Sequence, residues 1–113
     1  MELKRVVVTG LGAVTPLGLN VDETWEALLN GVSGAGPITH FDASQFKTQF
    51  ACEVKNFDPT LYLDKKEVRK FDRYAQFAVA AAKEAVGDSA LDLEKVDKNR
   101  VGVIFAAGIG GIR

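Results

Sequence analysis

Cysteine occurs once in this chain, at Cys52, and histidine once, at His40. A lone cysteine excludes an internal disulfide and a multi-cysteine metal site. A lone histidine excludes a His pair, a His-metal cluster or a Cys-His-His constellation built from these residues. Neither sign of charge is in excess: 14 Lys and Arg face 15 Asp and Glu, for a net charge of −1 and a pI near 5.8. The chain as a whole therefore has no electrostatic case for binding nucleic acid or an anionic membrane, and any basic patch must be local. Long apolar runs are missing too. Val6-Val7-Val8 and the stretch from Val101 to Ile109 fall well short of the roughly 20 residues of a spanning helix. The leader Met1-Glu2-Leu3-Lys4-Arg5 is too short for a signal-peptide core. With a single cysteine suited to a reducing compartment, these features predict a cytoplasmic protein.

What is present is the balance of an ordinary globular protein: 113 residues, 47% hydrophobic and 26% charged, enough for one modest domain. Arg5-Val6-Val7-Val8-Thr9, closed by Gly10, is patterned as a strand buried on both faces of a mostly parallel sheet. The loop from Gly10 to Gly18 leads to Asn20 and Glu23, spaced like a capping box. Beyond them Val21, Trp25, Leu28 and Leu29 share one helical face, and Gly31 supplies the stop. Residues 31–42 carry turn chemistry, and Phe50 to Val54 alternates weakly as a short strand. From Asp64 the pattern is helical, and Phe71, Tyr74, Ala75, Ala78, Val79, Ala82 and Val86 keep one face until about Gly87. Its alanines predict close approach by a neighbouring backbone and a place inside a layered protein. After a polar connection, Arg100 to Ala106 repeats the buried-strand pattern and exits into Ala107-Gly108-Ile109-Gly110-Gly111. Apolar strands separated by helices predict an α/β architecture with parallel pairing. So few strands followed by a glycine-rich exit at Arg113 read as a piece of a longer protein.

Several motifs admit a plainer and a sharper reading. Val8-Thr9-Gly10-Leu11-Gly12 starts as a dinucleotide-binding turn does, but Thr15 holds the third-glycine position and Pro16 with Gly18 delays the helix to about Asn20. No second strand ending in an acidic residue follows, so nucleotide binding is disfavoured. Cys52 has only Lys47 and Lys55 nearby to lower its pKa and is predicted to be a buried structural thiol. His40 is predicted to hydrogen-bond locally in a turn. The acidic residues form no pair suited to acid/base work. Lys66, Arg69 and Lys70 share one helical face, and on composition alone a solvated face balanced by Asp64, Glu67 and Asp72 is the simpler account.

Taken in order, Val6-Val7-Val8-Thr9-Gly10-Leu11-Gly12, Pro16, Gly18, Thr24-Trp25, Leu28-Leu29, Gly31, Ser33-Gly34, His40-Phe41-Asp42, Lys66-Glu67, Arg69-Lys70-Phe71-Asp72 and Gly108-Ile109-Gly110-Gly111 resemble the opening of the β-ketoacyl-acyl carrier protein synthases. The likeness is to the type II elongating enzymes more than to type I. The chain departs from that pattern at Ala106-Ala107, where the family usually carries Gly-Ser. The resemblance implies a thiolase-like layered α/β fold of which residues 1–113 supply the start of the first half, usually as a homodimer. It also implies the reaction, in which an acyl group moves from acyl carrier protein to an enzyme cysteine and is attacked by the carbanion of decarboxylated malonyl-carrier protein. That chemistry needs a thiolate, an oxyanion hole and two histidines, with no metal and no redox or nucleotide cofactor. By the resemblance all three catalytic side chains lie beyond Arg113. It further assigns Lys66, Arg69 and Lys70 to docking of the acidic carrier protein, reversing the reading from composition, and Ile109, flanked by Gly108 and Gly110, to the lining of the acyl pocket. A non-catalytic partner subunit of the chain-length-factor type is the second reading, and a dinucleotide-binding domain a distant third.

Overall fold

The computed structural model describes residues 3–111, so the chain's end at Arg113 lies outside the described residues. The chain divides into two units: Ala13–Asp58, and the residues up to Gly12 together with those from Pro59 onward.

In the Ala13–Asp58 unit, Asn20 opens helix α1 (Val21–Leu29) by accepting a hydrogen bond from the Glu23 amide at 2.8 Å. The Glu23 carboxylate reaches back one residue further than the predicted box requires, to the amide of Leu19 at 2.8 Å. The helix stops where the sequence predicts. Gly31 adopts φ +64°, and the amides of Val32 and Gly31 donate to the carbonyls of Ala27 and Leu28 at 2.9 and 3.1 Å, a double closure that absorbs the last carbonyls. Before the helix, the Thr15 hydroxyl accepts from the amides of Leu17 and Gly18 and lies 3.0 Å from the Thr24 hydroxyl. The loop is thereby tied to the Thr24 side of α1. Of the predicted apolar face, Val21 is half-buried while Trp25, Leu28 and Leu29 stay exposed, Trp25 at 60%. Beyond α1, β1 (Gly36–Pro37) and β2 (Phe50–Ala51) pair antiparallel, Gly36 opposite Ala51 and Pro37 opposite Phe50. Pro37 is tolerated there because the ladder is short and edge-like. Phe57 and Ala43 are the buried apolar residues of this unit.

The other unit is organised by helix α3 (Arg73–Asp88), preceded by a single helical turn, α2 (Lys65–Val68). Asp64 and Glu67 form a full capping box on α2. A break at Phe71 and Asp72 then separates the two helices, where the sequence pattern runs on, because Asp72 is extended (ψ 158°). The Gln76 amide group closes that break by donating to the carbonyls of Val68 and Phe71 at 3.0 and 2.9 Å. Two sides of α3 are covered. Gln76 and Ala80 are 7% and 2% exposed; α3 meets the 3₁₀ turn Pro59–Leu61, and Lys83 Nζ donates to the Tyr62 carbonyl beside it. On another side the backbone of Gly10 and Gly12 lies directly on α3: a Cβ on Gly12 would stand 2.7 Å from Ala85 N and 2.9 Å from Ala81 C.

The alanine helix therefore does receive a close backbone neighbour, but through Ala81 and Ala85. The predicted buried stripe is open. Ala78, Val79, Ala82 and Val86 line an apolar hollow of about 410 Å³ with Val103 and Phe105. Both predicted strands also require correction, since 5–9 and 100–106 form no ladder, and the sheet among the described residues is the two-stranded antiparallel β1–β2. Val6 is 88% and Ile104 97% exposed rather than buried on both faces. A strand's hydrogen bonds must come from another segment, and no segment among the described residues pairs with either run in a ladder. Val101 keeps the extended conformation (φ −112°, ψ 128°), its amide donating to the Lys98 carbonyl of the preceding turn instead of to a strand. Produced as residues 1–113 alone, the chain is expected to be poorly soluble or molten, with 1-anilinonaphthalene-8-sulfonate binding and no cooperative thermal transition. Dispersed amide NMR signals with a sharp melt would contradict this.

Candidate functional site

The basic turn owes its character to its acidic neighbours. Asp64 Oδ1 accepts from the amides of Lys66 and Glu67 at 2.8 and 2.9 Å, and Glu67 reaches back to the Asp64 amide at 3.4 Å. Asp72 is turned toward Gly111. Asp64 and Glu67 are thus engaged by backbone amides and Asp72 lies against Gly111, while Lys66, Arg69 and Lys70 are exposed and form no ion pair among the described residues. Helix α2 ends at Val68, but the turn is carried on by Arg69 in αR geometry and by the Phe71 amide donating to Glu67 at 3.0 Å. The three cations keep helical spacing on one solvent-facing turn, a local positive patch on a chain of net charge −1.

The turn 108–111 sits at the other edge of the α3 N-terminus. Tyr74, in the first turn of α3, presses its ring on Gly110, and Asp72 lies against Gly111. Gly108 has open space around it, and Ile109 is 77% exposed. The hollow on α3 is lined higher up, by Val103 and Phe105, and does not include residues 108–110. The docking candidates and the acyl-lining candidates are consequently attached to the same end of α3.

Cys52 is exposed, contrary to the expectation of a buried thiol. It lines an open hollow with Pro16, Leu17, Thr24 and Leu28 and follows directly on the end of β2 at Ala51. His40 is also exposed and lies 3.8 Å from Glu53. Sequence reasoning missed Glu53. Its two oxygens accept from the Thr39 amide and hydroxyl at 3.0 and 2.7 Å, clipping the end of the β1 segment to that of β2. The Thr39 hydroxyl, then the Thr39 amide, hold its carboxyl below the usual glutamate range. A depressed folded pKa means that the clip's stabilisation is complete above the ordinary value of 4.5 and is lost as the pH falls below it through the depressed one. Thr39→Val should raise the midpoint of the Glu53 carboxyl ¹³C titration toward the ordinary range. An unchanged midpoint would deny the hydroxyl its part.

The glycine-rich loop at residues 10–12 has a structural use that competes with nucleotide binding. It packs on the C-terminal half of α3, against carbonyls, and the Leu11 amide donates to the Asp88 carboxylate at 2.9 Å. A pyrophosphate needs a helix N-terminus with free amides; here it would meet the negative end of a helix and a carboxylate. No group of three His, Cys, Asp or Glu that could hold a metal occurs among the described residues, and no helix described there is long and apolar enough to cross a membrane.

A profile of the family described as "Beta-ketoacyl synthase, N-terminal domain" matches residues 3–112. The chain belongs to the β-ketoacyl synthases. It is 54% identical over 112 residues to 3-oxoacyl-acyl-carrier-protein synthase 2 of Coxiella burnetii and 46% identical over 113 residues to the protein of that name from Synechocystis sp., covering 99% and 100% of this chain. In each case the ketosynthase segment spans about a quarter (27%) of the relative's length. Among solved structures it resembles the ishigamide ketosynthase/chain length factor, with 39% identity, TM-score 0.71, and coverage of 80% of this chain and 22% of that one. It also resembles a type II PKS acyl-carrier protein in complex with its ketosynthase bound to the hexaketide, with 30% identity, TM-score 0.63, and coverage of 87% and 24%. The described part of this ketosynthase segment is helices with one small sheet, so the likeness of fold rests on those neighbours rather than on any strand ladder of its own.

Proposed function

We propose that this chain is the N-terminal part of an elongating, type II β-ketoacyl-acyl carrier protein synthase of fatty acid synthesis, with a thiolase-like layered α/β fold, acting as a cytoplasmic homodimer. The observation that carries the reading is the match to 3-oxoacyl-acyl-carrier-protein synthases along 99–100% of the chain. The exposed, unbalanced cations Lys66, Arg69 and Lys70 are its physical counterpart, since a carrier protein is an acidic partner. In the reaction an enzyme thiolate displaces the carrier thiol from the acyl thioester. Malonyl-carrier protein then loses CO2, and the resulting carbanion attacks the acyl-enzyme carbonyl and expels the cysteine thiolate, leaving 3-oxoacyl-carrier protein. The nucleophile and the two histidines belong to the longer protein. Cys52 has no base bonded to it among the described residues, and His40 has no second histidine in the chain.

The test is to incubate the full-length protein with acyl-carrier protein and malonyl-carrier protein and to follow CO2 and the mass of the carrier-bound product. A product longer by the two carbons of the malonyl unit is expected, and Cys52→Ser should leave turnover within a few-fold. The solved ketosynthase/chain length factor keeps a second reading in view, a non-catalytic partner subunit. That reading predicts no product from the protein alone and product only beside a catalytic ketosynthase.

A further inference from the structure

We propose that Tyr74 is a positioning residue that sets the acyl-chain selectivity of this ketosynthase by seating the turn 108–111. The inference rests on the assignment of Gly108, Ile109 and Gly110 to the acyl lining and adds a residue outside that turn. The turn is held at Gly110 and Gly111. A Cβ on Gly110 would overlap the Tyr74 ring, at 2.7 Å from Cδ1 and 2.8 Å from Cζ, and a Cβ on Gly111 would stand 2.8 Å from Asp72 Cγ. Gly111 takes φ +71°, a left-handed bend that lets the backbone fold onto this seat. A Cβ on Gly108, by contrast, would meet nothing within 4 Å among the described residues. Ile109 therefore stands at the boundary between a clamped and an unclamped half of the turn, and the clamp decides where its side chain begins.

Asp72 supports this arrangement. It occupies the N-cap position of α3 with extended backbone, yet its side chain makes no capping hydrogen bond and lies against Gly111 instead. A carboxylate at the head of a helix normally accepts from the second or third amide. Seat and turn are joined directly to the basic turn, because Gln76 fastens the carbonyls of Val68 and Phe71 to the start of α3.

The contact is made by ring carbons, so Tyr74→Phe preserves it, Tyr74→Ala removes it, and Gly110→Ala forces a methyl into it. In the full-length protein, kcat and KM are measured for a series of acyl-carrier proteins from short to long, with a thermal melt of each variant. Gly110→Ala is expected to lower kcat/KM for the long acyl groups by about a hundredfold, the scale of a displacement near 1 Å. Tyr74→Ala should shift the long-to-short preference by about tenfold, and Tyr74→Phe should keep the wild-type profile. The double variant Tyr74→Ala/Gly110→Ala should recover at least about tenfold over Gly110→Ala, because the removed ring makes room for the added methyl. Equal losses across all acyl lengths, or additive effects in the double variant, would overturn the proposal by showing Tyr74 to be merely structural. If the wild type elongates no acyl group, the functional reading fails and takes this role with it. Wild-type elongation with a profile unmoved by Tyr74→Ala defeats the positioning role alone.

Discussion

Reversing the charge at Lys66, Arg69 and Lys70 together lowers kcat/KM for carrier-bound substrates by about one to two orders of magnitude in the full-length protein, and leaves small thioester substrates nearly untouched. The side chains are exposed, so their removal leaves no buried partner unsatisfied and the fold is kept. Their neighbours Asp64 and Glu67 are held by the α2 capping box and form no ion pair with them among the described residues, so the three ammonium and guanidinium groups stay available to a partner. Such a patch acts chiefly on the rate of encounter with an acidic partner. Salt must then erase the difference: as the screening length falls from about 10 Å at 0.1 M toward about 3 Å at 1 M, wild type and variant converge. Equal loss on both substrate types at every salt concentration would mean that the turn is structural.

Gly12→Val destabilises the full-length protein by about 3 kcal/mol or more, and Gly12→Ala by a large part of that. The Gly12 Cα faces the backbone of Ala81 and Ala85 at a distance that admits no Cβ. The atoms met are peptide atoms of a regular helix, which no rotamer change can move aside, so either the loop lifts off α3 or the helix bends. Lifting the loop also costs the bond from the Leu11 amide to Asp88. A thermal or urea melt reads the loss directly. A dinucleotide-binding role would instead predict nicotinamide binding by the wild type, and a titration with no saturable signal is expected. A Gly12→Val protein as stable as wild type would show that the loop does not pack on α3 as described.

Legibility of the site followed the range of the forces involved. The cations were readable as a set because Lys66, Arg69 and Lys70 lie within one helical turn. Whether they were balanced was not readable, because that depended on where Asp64, Glu67 and Asp72 turn their carboxylates. The residues 108–110 were readable only through a resemblance. Their neighbour Tyr74 lies more than thirty positions away in the sequence, and no local pattern joins a tyrosine in a helix to a distant glycine. The Thr39–Glu53 clip was invisible for the same reason. Cys52 was expected to be a buried structural thiol because little near it in the sequence would activate it, and the structure leaves it exposed just past the end of β2.

By itself the sequence determined much of the helical structure: Asn20 as the cap of α1, Gly31 as its stop, and a helical pattern from Asp64 to about Gly87, close to the observed end at Asp88, though not the break at Phe71 and Asp72. Helical hydrogen bonds run between residues four apart, and caps reach two or three, so the information is local. Only the tertiary structure decided which sides of α3 are covered, that Gly10 and Gly12 meet Ala81 and Ala85, and that the β-branched runs at 6–8 and 101–105 stand without a ladder. A strand's partners, and the surface that buries a helix face, belong to other segments of the chain, and periodicity states that a face is apolar without stating what will cover it.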